Sequence, residues 1–148
     1  MDPIDAHERE CRGLLISTIH DDFWSDEYYR AAQAVREWRD RHGEDFPTEL
    51  FRRFEHLEEL LDAEREQVVA TNAGRRLIKS FFRKTQLLCE RGFLTEGDLR
   101  EHLTMPQRLA SLFEIIEPFE AARKPDYNRE MFDFYDKLHG GDLDRPSR

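Results

Sequence analysis

Apolar residues recur along the 148-residue chain at intervals of three and four, and nowhere do they alternate singly with polar ones over the length of a strand. The pattern predicts an all-α protein. A first helix is expected from Asp5, where Asp5 and Glu8 have the N-cap and N3 spacing of a capping box, to His20, with Cys11, Leu14, Leu15 and Ile19 on one face. A second is expected from the N-cap Ser25. It carries Asp26 and Glu27 in its first turn, where the helix dipole favours acids, buries Tyr28, Ala31, Ala32, Val35 and Trp38, and stops at Gly43. Thr48, following Pro47, is the expected cap of a third helix with the stripe Leu50, Phe51, Phe54, Leu57 and Leu61 and a strongly acidic outer face. Over residues 62–74 the pattern thins to Val68, Val69 and Ala70, which fits either one long bent helix or two joined near residues 72–74.

The clearest element spans residues 75–91. Leu77, Ile78, Phe81, Phe82, Thr85, Leu88 and Cys89 occupy one arc, and Arg75, Arg76, Lys79, Arg83 and Gln86 the opposite one. Gly92 supplies the left-handed cap, and Thr95 with Asp98 opens a short helix carrying Leu99 and Leu103. Pro106 suits a first turn leading into Leu109, Leu112, Phe113, Ile116 and Phe119, while Pro118 is expected to kink or shorten that helix. A last helix from Asn128 holds Met131, Phe134, Tyr135 and Leu138 and ends at Gly140 and Gly141. Six to seven striped helices imply a single-domain bundle over residues 1–140 with antiparallel neighbours, and residues 141–148 as a flexible tail.

Composition sharpens this. Charged residues make up 37% of the chain, yet 11 Phe, 2 Trp and 4 Tyr supply the core material that disordered chains lack. No apolar run reaches a membrane span, and the start MDPID is unlike a signal peptide. Cys11 and Cys89 form no CxxC pair, so neither a zinc cage nor a disulfide framework is expected, and a reducing cytoplasm fits best.

Residues 80–99 read SFFRKTQLLCERGFLTEGDL, residues 112–119 LFEIIEPF and residues 125–132 PDYNREMF, with DFWSDEYYRAA upstream at residues 22–32. Together they resemble the bacterial domain of unknown function 4760 family over residues 15–138. The resemblance implies a helical fold with a proline-bearing helix and a closing aromatic helix; its motifs are packing signals and carry no catalytic residue over.

Candidate chemistry is sparse. His7 with Cys11, His7 with Glu10, His56 with Glu59 and Asp136 with His139 have helical ligand spacing, but no histidine has Glu three residues before it, as a di-iron bundle requires. These histidines read as solvated surface residues. Cys89 falls on an apolar arc and reads as a small core residue, and the run His20, Asp21, Asp22 reads as a helix end and turn. The seven glycines are dispersed, so no phosphate-cradling loop forms, and no catalytic residue, cofactor or metal site is assigned.

Charge is more informative. Residues 1–70 hold 9 basic and 19 acidic side chains, net −10, and residues 71–148 hold 14 and 13, net +1. Within the second half, Arg75, Arg76, Lys79, Arg83, Lys84 and Arg91 face Glu90 alone. Arg75, Arg76, Lys79 and Arg83 are therefore candidate anion- or partner-binding residues, although Glu55, Glu58, Glu59, Asp62, Glu64 and Glu66 just upstream offer an intramolecular alternative. Phe23, Trp24 and Tyr29 are candidate interface aromatics, with Trp24 and Trp38 weighed towards the core. The sequence thus points to a cytoplasmic, non-enzymatic interaction or accessory module with a protein partner or a second copy. A nucleic-acid-associated regulator using the basic helix is the alternative, and a metal-dependent helical-bundle enzyme the third.

Overall fold

Asp62 opens a helix that does not end until Glu90, and the other elements are arranged around it. A computed structural model describes the backbone of residues 3–103 and 106–141 and the side chains of residues 6–101 and 113–141. Helices α1 (Pro3–Phe23), α2 (Asp26–His42), α3 (Phe46–Phe54) and α4 (Asp62–Glu90) precede the single turn α5 (Glu96–Asp98) and a π-helical turn at Leu99–Leu103. Helices α6 (Pro106–Arg123) and α7 (Arg129–Leu138) follow. The described residues contain no strand, and the all-α bundle expected from the periodicity is observed.

Helices α2 and α4 form the main antiparallel pair: Arg41 bonds to Gln67 at one end, Ala31 meets Gly74 in the middle, and the Tyr28 and Phe81 rings meet at the other, 5.4 Å apart. Ser25 caps α2, its Oγ accepting from the Tyr28 amide at 3.2 Å, and the five residues expected inside are all buried. The indole of Trp38 donates to the Phe46 carbonyl at 2.8 Å, fixing the start of α3 against α2. On the other side of α4, Phe82 meets Phe113 and Tyr135 at 5.2 Å each, and the Tyr135 hydroxyl donates to the Phe82 carbonyl at 2.7 Å. Burying each such ring is worth about 1.5–3 kcal/mol.

Several boundaries differ from the sequence expectation. Helix α1 begins before Asp5, so the proposed capping box does not mark its start, and it runs past His20 because Phe23 must reach the core. Thr48 lies inside α3, which starts at Phe46 with Pro47 in its first turn. The third stripe breaks after Phe54, leaving Leu57 half-buried and Leu61 79% exposed, and residues 72–74 interrupt nothing. Pro118 does not shorten α6, which continues to Arg123. In α7, Phe132 is buried while Phe134 is only partly covered. Thr95 and Asp98 do form the expected capping box, at 3.1 and 2.9 Å. The side chains of Leu103, Leu109 and Leu112 and the tail over residues 142–148 lie outside the described residues.

Candidate functional site

The sequence placed four cations on one face of residues 75–91, and the fold divides them. Because α4 is central, its polar arc is covered where α6 crosses it. Arg75 is fully buried there, its Nη1 donating to Glu120 Oε1 at 2.7 Å while Nε and Nη2 donate to Asn72 Oδ1 at 3.1 and 2.8 Å. Burial pulls the Arg75 guanidinium below its ordinary pKa, and Glu120 holds it up. Arg75 is therefore a core residue, which withdraws it from the anion-binding candidates. Arg76 is exposed.

Lys79 and Arg83, one turn apart, line a groove of about 400 Å³ together with Ser80, Lys84 and Leu87 of α4 and Tyr127 and Asn128 of the turn before α7. The Lys79 ammonium lies 5.6 Å from the Tyr127 ring centroid, and Arg83 Nη1 donates to the neutral Gln86 Oε1 at 2.8 Å. Lys84 is 3.9 Å from Asp22 at the end of α1, an exposed contact worth little in water. Among the described residues, no carboxylate lines the groove. It presents three cations, a hydroxyl, an amide and an aromatic face: a chemical set suited to carboxylate or phosphate groups carried beside apolar matter.

The groove wall is built from the core outward. Asn128 sits in the left-handed region at φ 55°, and its Nδ2 donates to Glu120 Oε2 at 3.1 Å. The hydrogen-bonded chain Asn72, Arg75, Glu120, Asn128, buried at Arg75 and Glu120, thus joins α4, α6 and the start of α7, fixing the position of Tyr127 and Asn128 opposite Lys79. Sequence reasoning missed Ser80, Lys84, Tyr127 and Asn128 as groove residues. Lys84 was counted in the basic segment, but the turn at residues 124–128 gave no signal of what it would face.

The acidic run at residues 55–66 does not neutralise this groove. Asp62 and Lys79 belong to one helix, seventeen residues apart, which at 1.5 Å per residue separates them by about 26 Å. Among the described residues, Asp62 pairs with Arg65 and Glu64 with Arg53, and no ion pair joins the run to Lys79, Arg83 or Lys84.

The candidate aromatics also divide. Phe23 is 2% exposed and packs 4.9 Å from Tyr28 and 5.3 Å from Phe81, so it seats α1 on the core and is not an interface residue. Trp24 at 56% and Tyr29 at 63% lie exposed at the α1–α2 corner, and Trp38, fully buried, is core. A second, larger groove of about 730 Å³ runs between α1 and Gly92, with Arg9, Arg12 and Arg91 beside His7, Cys11 and Phe93. Its charge is mixed, since Glu8 lines it and Asp98 lies 3.8 Å from Arg12. His7 Nε2 is 3.7 Å from Cys11 Sγ, while Cys89 is part-buried with its thiol pKa raised by burial. Among the described residues no group of three or more His, Cys, Asp or Glu has metal-binding geometry, and no helix is long and apolar enough to cross a membrane.

Comparison of the chain with protein-family models, with curated proteins and with solved structures finds no match.

Proposed function

We propose that this protein is a non-enzymatic interaction module of the cytoplasm that holds an acidic protein segment in the groove between α4 and the turn before α7. One observation carries the reading: on a chain of net charge −9, Lys79, Arg83 and Lys84 converge on one groove whose lining, among the described residues, includes no carboxylate, Asp22 touching Lys84 from outside it. Tyr127 and Leu87 give that groove an apolar side, as a peptide side chain needs and an isolated anion does not. The two free cysteines support a reducing compartment.

Nucleic acid fits the groove less well. The three cations span five helical steps, about 7.5 Å, which engages few phosphates, and the remaining surface repels a long polyanion.

The test is fluorescence anisotropy with two labelled probes, a peptide of alternating Glu and Leu residues and a single-stranded oligonucleotide. The peptide is expected to bind, and the variant Lys79→Glu/Arg83→Glu, with an unchanged melting temperature, to weaken it about tenfold or more. Equal peptide binding by variant and parent overturns the proposal. Binding of the oligonucleotide alone, lost in the same variant, replaces it with the nucleic-acid reading.

A further inference from the structure

The turn between α3 and α4 is the chemical complement of the groove, and it lies at the other end of the same helix. Glu55, Glu58 and Glu59 are exposed on this turn, and Leu61 at its tip is the most exposed large apolar residue described. The shape of the turn is fixed from within: Arg65 donates from Nε to the Leu57 carbonyl at 2.9 Å and from Nη2 to the Leu60 carbonyl at 3.0 Å. The turn is thus held before any partner arrives, which lowers the entropy cost of docking it. Arg65 and Arg53 answer Asp62 and Glu64, and among the described residues no ion pair is formed by Glu58 or Glu59.

Resting on the groove reading above, we infer that the acidic segment held in the groove is this turn from a second copy of the chain. Glu58 and Glu59 then meet Lys79 and Arg83, and Leu61 covers Leu87 and the Tyr127 ring. Within one copy the contact is impossible, because α4 holds the two surfaces about 26 Å apart. Between copies both surfaces of each molecule are used, so the contact is heterologous. Copies of net charge −9 repel at long range, but salt near 0.1 M, with a Debye length of about 10 Å, screens distant charges more than touching ones. Association is therefore expected at moderate salt and is expected to weaken at both very low and very high salt.

Two charge-reversed variants test this by sedimentation equilibrium, Glu58→Lys/Glu59→Lys in the turn and Lys79→Glu/Arg83→Glu in the groove. Circular dichroism melts first establish that each is folded. The parent is expected to gain mass with concentration, and each variant alone to weaken association about tenfold or more, because its two surfaces then carry the same sign. An equimolar mixture of the two variants is expected to associate again, since each groove then finds a turn of opposite charge. A parent that stays monomeric to the highest concentration reached, or variants that associate as the parent does, overturns the inference. If the Glu–Leu peptide still binds the groove of a monomeric parent, self-docking falls while the interaction-module reading stands. If neither the peptide nor a second copy binds, both fall.

Discussion

An arginine with no exposed surface persists in a core only while its partners stay in place. Arg75 has Glu120 and Asn72, and Glu120 also receives Asn128. Removing one charge leaves the other buried and unpaired, whereas removing both leaves an apolar gap that can repack. Glu120→Leu is therefore expected to lower the unfolding free energy by about 3–5 kcal/mol in urea titrations, and Arg75→Met/Glu120→Leu to lower it less. A loss in the double variant equal to the sum of the Arg75→Met and Glu120→Leu losses would show that the pair is not coupled. The sequence could not show this pair, since its two members lie forty-five positions apart and each reads locally as a solvent-facing charge. A helical wheel assigns one buried face, and α4 has more than one. Trp38 and Tyr135, by contrast, were legible as core because each falls inside an unbroken apolar stripe of its own helix.

At the scale of the element, Gly74 decides how closely α2 and α4 approach. A Cβ added there would lie 2.9 Å from the Ala31 carbonyl oxygen and 3.1 Å from its Cα, both backbone atoms that cannot turn aside. Alanine in a helix interior is usually better than glycine by about 1 kcal/mol, but here the clash opposes that gain. Gly74→Ala is expected to destabilise by about 1–3 kcal/mol in the same titrations, and a rise in stability would contradict the packing described. The same glycine explains an ambiguity in the sequence: it has the signature of a helix break, and the structure uses it as a notch in a continuous helix. The real interruption, after Phe54, was hidden because Leu57 and Leu61 happen to continue the apolar spacing across a turn. Of the local capping signals, Ser25 and Thr95 act within three residues of themselves as expected, while Asp5 and Thr48 fall inside helices that start earlier.

Over the whole molecule, stability responds to pH through two histidines held neutral. Burial lowers the pKa of His42 and, helped by Arg100, of His139, from the usual 6.5; Arg53 adds to the effect at His42. Above pH 6.5 folded and unfolded chains both keep these rings neutral, so titration contributes nothing there. As the pH falls below 6.5 the unfolded chain takes up protons that the folded rings resist, and stability declines until the folded rings protonate as well. The melting temperature is expected to be lower near pH 5.5 than at pH 7, with a smaller difference in His42→Gln/His139→Gln; an equal difference would place the titration elsewhere. Charge polarity along the chain was legible from the sequence, and the groove was not, because it needs a helix and a turn more than forty residues apart to face each other. The role given to that groove is tested most directly by following backbone amide resonances while the Glu–Leu peptide is added. Shifts are expected to concentrate at Lys79, Ser80, Arg83, Lys84, Tyr127 and Asn128. Shifts centred instead on Trp24 and Tyr29, or on Arg9, Arg12 and Arg91, would contradict it.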